Sequence, residues 1–356
     1  MALSSLQIGK TQPTRQSLAT KPLSTLAFDW VYTTLLLLLS AGIYMDGWSH
    51  IEYGPDQSVF SEYHLLFYSS LAVIGLWLIG HAYRYLRQGY NGLNALPAGY
   101  LVSFFGVLIF GIGGVLDLTG HSFFGFEADM EALLSPTHMM LFIGWAMIAV
   151  GPARAASVRR RREGKEPGLL SFLPALISWT MVANVFAFAG MAYFPTVNNA
   201  WMLADWRTTV EWYGHSLGVM GTMAQSVLMV GTALWLVHSF KLPGGSFTFF
   251  FSLFALLMTI TSFIPEFIPV FIATGILMDV LYVLLKPSSK RPAQLYSFGF
   301  ALPLVFWSLF YTLAIQTGLK GGVWYTGYIW MGSIFEAAIV GLLIALLSNY
   351  SSQAEV

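Results

Sequence analysis

Asp46, His50 and His64 stand at spacings that suit a metal ion, and the chain presents the set twice. The first copy reads Asp46-Gly-Trp-Ser-His50-Ile-Glu-Tyr-Gly54-Pro-Asp56 and runs on to His64. The second reads Asp117-Leu-Thr-Gly-His121-Ser-Phe-Phe-Gly125-Phe-Glu127 and runs on to His138. Both fit Asp-x3-His-x3-Gly-x-acid, followed by a His that opens an apolar run. Glu211 and His215 repeat the acid-x3-His step at the mouth of a third apolar run. On a helix, residues i and i+4 share a face, so each acid sits beside its imidazole. Five of the seven His fall in these settings.

Imidazole is the commonest protein ligand for transition metals, and a nearby carboxylate can ligate as well or orient the ring through its second N–H. The pattern therefore predicts a metal site built from Asp46, His50, His64, Asp117, His121, His138 and His215. Asp56, Glu127 and Glu211 are placed around it as outer-shell or proton-transfer groups. A purely N/O donor set suits copper(II), zinc, iron, nickel or manganese. Met139, Met140, Met220 and Met223 could add thioethers, though a Met on an apolar helix is more often plain packing. Bis-His haem b is the main rival, with Gly111, Gly113, Gly114 and Gly214 leaving room for a macrocycle. Haem ligation has no need of the acid at i−4, which is the part the chain repeats, so haem ranks behind a metal held directly by these residues. The plain alternative is a set of interfacial His and Asp satisfied by loop backbone and water.

Composition fixes the setting. The chain has 356 residues, 56% of them apolar and 10% charged, with no Cys. Several uncharged runs approach the ~20 residues that span a bilayer. Without Cys there are no disulfides, zinc ribbons, iron–sulfur clusters or thiolate-bound haem. No phosphate-binding loop, nucleophile elbow or HExxH motif occurs, and nothing points to nucleic acid.

The expected fold is all-α: a polytopic transmembrane bundle of about ten spans, at 27–46, 63–84, 99–119, 137–156, 169–194, 213–238, 247–264, 268–286, 295–316 and 327–348. Helix is required because backbone in lipid must satisfy its own hydrogen bonds. With this count and a cytosolic N-terminus, 15 of the 17 Lys and Arg fall on the inner side, including Arg159 to Arg162. Only Arg207 and Lys320 fall outside, which is a strong positive-inside pattern. Both termini are then cytosolic, in a membrane of the bacterial inner (cytoplasmic) type, and every motif residue lies at the outer face. The long outer connections carry aromatics such as Trp48, Tyr53, Phe123, Phe126, Trp201 and Trp212, expected to cap the site.

Domain organisation follows the motifs. Residues 1–24 read as a disordered tail, 25–90 as a first helical hairpin with its metal motif, and 91–165 as a second. Residues 166–243 read as a diverged third, and 244–350 as four further transmembrane helices. The bundle is thus expected to be built partly from tandem parallel hairpin repeats. Two acids, Asp279 and Glu336, are placed within spans, where an ionisable group marks an ion or proton path by default. His81 and His238 lie near inner helix ends and could extend such a path.

The Asp46-x3-His50-x13-His64 pattern resembles the metal site of the C subunit of the membrane copper monooxygenases for methane and ammonia. The resemblance covers two windows, 46–64 and 117–138. It implies copper as the metal, Asp46, His50 and His64 with Asp117, His121 and His138 as ligands, and partner membrane subunits with an electron donor. The chain departs from the family in its doubled motif, in its spacings of 13 and 16 residues to the last His, and in its larger number of spans. The leading functional expectation is a metal-dependent membrane oxidoreductase or a subunit of one. A metal or proton-coupled transporter, a haem b electron carrier and a membrane zinc hydrolase are the alternatives.

Overall fold

A computed structural model describes residues 21–54, 61–125, 134–197, 211–262, 265–317 and 327–354. The described residues form eleven α-helices: α1 (Leu26–Tyr53), α2 (Glu62–Leu86), α3 (Leu101–Phe124), α4 (Pro136–Ala149), α5 (Gly151–Glu163), α6 (Leu169–Ala189), α7 (Glu211–Ser239), α8 (Ser246–Ser262), α9 (Ile268–Leu285), α10 (Pro292–Thr317) and α11 (Gly327–Ala354). With α4 and α5 counted as one span, nine are long and apolar enough to cross a membrane, and α8 is a shorter apolar helix. The protein is an all-α polytopic bundle.

Several boundaries differ from the sequence expectation, each for a local reason. The helices α1 and α3 continue past residues 46 and 119 to Tyr53 and Phe124, so His50 and His121 are helical. Each helix stops at a glycine whose N–H donates to the carbonyl of that same His, Gly54 to His50 and Gly125 to His121, both at 3.1 Å. Gly54 (φ 84°, ψ 178°) and Gly125 (φ 85°, ψ −178°) occupy a region of backbone space that is essentially glycine-only. The repeated glycine is a helix stop. Pro22 accepts from the N–H of Ala98 at 2.8 Å, and Ser24 is buried.

The cluster Arg159 to Arg162 lies on α5 and not in a loop. Here Pro152 interrupts the helical ladder, because it has no N–H to offer the carbonyl of Ile148. In an apolar interior that acceptor must be satisfied otherwise. The Tyr32 hydroxyl donates to it at 3.0 Å and the Ser103 hydroxyl at 3.1 Å. Ser178 closes the rest of the gap, donating to the carbonyl of Ala149 and accepting from the N–H of Ala153 at 3.1 Å.

The hairpins α1–α2 and α3–α4 are tightly packed. On the second, a Cβ at Gly144 would fall 2.7 Å from the backbone nitrogen of Phe110, so only glycine permits that approach. The expected third hairpin packs differently. Helix α6 is enclosed by α4, α5 and α8, and α7 runs mainly along α11, with Trp179 on Trp235 (ring centroids 3.8 Å) bridging α6 to α7. Tyr44 of α1 donates to Asn184 of α6 at 2.9 Å and Trp145 of α4 to Ser40 of α1 at 3.0 Å, so the first four helices and α6 share one core.

Candidate metal centre

Asp46 and His50 project from the last turns of α1, and His64 from the first turn of α2. Ser61 starts that turn, since its side chain accepts from the N–H of His64 at 3.2 Å, a standard N-cap that orients the helix mouth. The Nε2 atoms of both imidazoles converge on one carboxylate oxygen. His64 lies 3.2 Å and His50 3.8 Å from Asp46 Oδ1. One ligand atom from each residue can be chosen so that all lie within 4.8 Å of one another. Ligands held about 2.0–2.2 Å from one metal stand roughly 3–3.6 Å apart, so a small inward shift would complete coordination. All three residues are partly buried. Phe67 and Tyr68, one turn deeper on α2, wall the His64 ring at centroid distances of 5.2 and 6.2 Å.

The second motif also assembles, with a different geometry. His121 Nε2 lies 3.0 Å from Asp117 Oδ2, while His138 Nδ1 lies 3.5 Å from the other oxygen, Oδ1. The imidazoles straddle the carboxylate. Ser135, the N-cap of α4, accepts from the His138 N–H at 3.2 Å and pairs with His138 Nδ1 at 2.7 Å. Thr137 donates to Asp117 Oδ1 at 2.6 Å. The Nδ1 of His121 donates to the carbonyl of Gly125 at 3.3 Å.

The two triads are neighbours at one end of the bundle. A Cβ at Gly114 would fall 2.6 Å from the Tyr68 hydroxyl, which places that hydroxyl one turn from Asp117, and Tyr68 feels the charges of both Asp46 and Asp117. The expected single pool of four His and two Asp is therefore two adjacent triads, each within its own hairpin. Among the described residues, the His and acid group whose ligand atoms all come within 4.8 Å of one another is Asp46, His50 and His64. His215 is half-buried near the start of α7 and does not join that group. Asp56 and Glu127 lie outside the described residues, and of Glu211 only its place at the start of α7 is described.

The residues expected along an ion path have the following surroundings. Asp279 of α9 accepts from the N–H groups of Phe247 (3.1 Å) and Thr248 (2.9 Å) and from the Thr248 hydroxyl (2.7 Å). It caps the N-terminus of α8 from a neighbouring helix, where a carboxylate is favoured by unpaired amides and the helix dipole. Glu336 points outward from α11 beside Phe335 and Ile339. His81 donates from Nδ1 to the Trp77 carbonyl (2.9 Å) and packs edge-on against Phe28. His238 sits between the hydroxyls of Ser289 (3.0 Å) and Ser348 (3.3 Å).

One buried acid escaped the sequence reading. Asp29, in the first turn of α1, is 2% exposed and pairs with Arg159 of α5. The Tyr100 hydroxyl donates to it at 2.7 Å, and Arg159 also donates to the Ser24 carbonyl and hydroxyl, each at 3.0 Å. The available signal was an acid just inside a span together with a basic cluster on the same expected side.

Compared with known proteins, the chain matches no family model, no curated protein and no solved structure.

Proposed function

We propose that this chain is an integral membrane metalloprotein that holds a first-row transition ion on Asp46, His50 and His64 and works as a metal-dependent oxidoreductase or a subunit of one. The observation that carries the reading is the approach of two imidazole Nε2 atoms to a single carboxylate oxygen. Two imidazoles and one carboxylate fit copper(II), iron(II) or zinc and lean away from copper(I). The resemblance to the membrane copper monooxygenases puts copper first among them. Three protein donors leave coordination positions open, and a metal bound there supplies Lewis acidity and, for copper or iron, redox chemistry.

The chain's own residues do the rest. Asp46 holds both rings to one focus, the Ser61 cap and the Gly54 stop fix the two helix ends, and Phe67 and Tyr68 keep water from the deep side of the site. In the orientation predicted by the basic residues, the site faces the non-cytosolic side, open to a partner subunit or electron donor. Haem fits poorly, since the Asp46 carboxylate lies where a macrocycle between His50 and His64 would have to run. The two acids offered as a transport path have other surroundings: Asp279 caps α8 and Glu336 points outward from α11.

Elemental analysis and an optical spectrum of protein purified without chelators test the proposal. Bound copper, iron or zinc that is lost in His64→Ala supports it, and oxygen consumption with an artificial electron donor would establish the redox part. A Soret band, or no metal at all, would overturn it.

A further inference from the structure

The two motifs share Asp, His, Gly and a following acid at the same spacings, yet their geometries differ, and so does the turn that opens the second helix of each hairpin. Both turns read Ser-x-x-His, with Ser61 and Ser135 as N-caps and His64 and His138 three residues on. Between them stand Glu62 and Tyr63 in one case, Pro136 and Thr137 in the other.

Resting on the metal reading above, we propose that only the Asp46 triad takes up a metal ion, and that Thr137 latches the Asp117 triad in a closed, hydrogen-bonded form. Thr137 Oγ1 donates to Asp117 Oδ1 at 2.6 Å, a short charge-assisted bond on an oxygen a cation would need. Ser135 engages His138 through Nδ1 at 2.7 Å, so the ring is turned with Nδ1, and not Nε2, toward the carboxylate. With His121 on the opposite oxygen at 3.0 Å, the two imidazoles address different oxygens of the carboxylate and not a common one. Pro136, at the first position of α4, presets the backbone of this turn. At the matching place the first hairpin has Tyr63, and there one ligand atom from each of Asp46, His50 and His64 comes within 4.8 Å of the others.

Cobalt(II) titration of full-length, chelator-stripped protein in detergent, followed by visible absorption and equilibrium dialysis, tests this. The expected result is one equivalent bound by the wild type, none by His64→Ala, one by His138→Ala and two by Thr137→Val. Loss of one hydrogen bond to a charged acceptor should raise cobalt affinity at the second triad on the order of ten- to a hundredfold. Thr137→Ala, which removes the same hydroxyl with a smaller side chain, gives a second route to the same gain should Thr137→Val fail to fold. Two equivalents in the wild type, one lost in each His variant, would overturn the latch while leaving the metal reading intact. A folded Thr137→Val that still binds one equivalent would also overturn it. No cobalt bound by any of these proteins would sink the metal reading itself.

Discussion

Asp46 Oδ1 lies 3.2 Å from Nε2 of His64, joining the last turns of one transmembrane helix to the first turn of the next. This contact adds a third member from another helix, since the His50 neighbour at i+4 is supplied by the helix alone. Asp46→Asn removes the charge that draws both rings together while keeping the shape. The expected outcome is at least a tenfold loss in metal affinity with little change in thermal stability, measured by competition with a chelator of known strength. Unchanged affinity would mean that the carboxylate is not a donor.

A second expectation concerns the helix stops. Gly54 adopts φ 84° and ψ 178°, where a Cβ is strained by about 1–3 kcal/mol. Gly54→Ala should lower the melting temperature and weaken metal binding together, because relief of that strain moves His50. Gly80→Ala serves as the control: a Cβ there meets nothing within 4 Å, and that glycine carries no positive φ.

The buried pair at the other end of the bundle gives a third. Asp29 is 2% exposed and its partner Arg159 reaches across from α5. Removing one member of such a pair strands the other, at a cost of about 3–5 kcal/mol. Asp29→Asn and Arg159→Met should each destabilise strongly in a detergent melt, and the double variant should recover much of the loss. Additive losses would show that the two do not act as a pair.

Asp279 offers a fourth, chosen to separate structure from transport. As a cap on α8 it is worth about 0.5–2 kcal/mol, so Asp279→Ala should cost stability of that order. Metal content should stay the same. A vesicle assay showing metal or proton movement that Asp279→Ala abolishes in a folded protein would restore the ion-path reading.

The spans were legible because a bilayer imposes one length and one composition on every crossing helix, and most helix cores fall where hydropathy puts them. The intra-helical pairs Asp46–His50 and Asp117–His121 were legible too, because i and i+4 adjacency needs no tertiary information. The roles that escaped depend on neighbours distant in sequence. Nothing around Asp279 announces that the N-terminus of α8 packs against it, and Asp29 looks like an ordinary first-turn acid until Arg159 and Tyr100 arrive. The different geometries of the two triads accompany Thr137 in one turn and Tyr63 in the other, a distinction invisible to a pattern that counts only His and acids. The Ser-x-x-His caps were readable from sequence alone and were missed as a local signal of where α2 and α4 begin.

The carbonyl of Ile148, orphaned by Pro152, accepts from Tyr32 of α1 and Ser103 of α3. Tyr32 precedes Asp46 by the same fourteen residues that separate Ser103 from Asp117. At about 1.5 Å per residue, each carboxylate therefore stands roughly 21 Å along its helix from one shared rivet. A single missing amide proton on α4 thus acts as the datum from which both hairpins are measured, holding the two acids level and keeping either hairpin from sliding past the other.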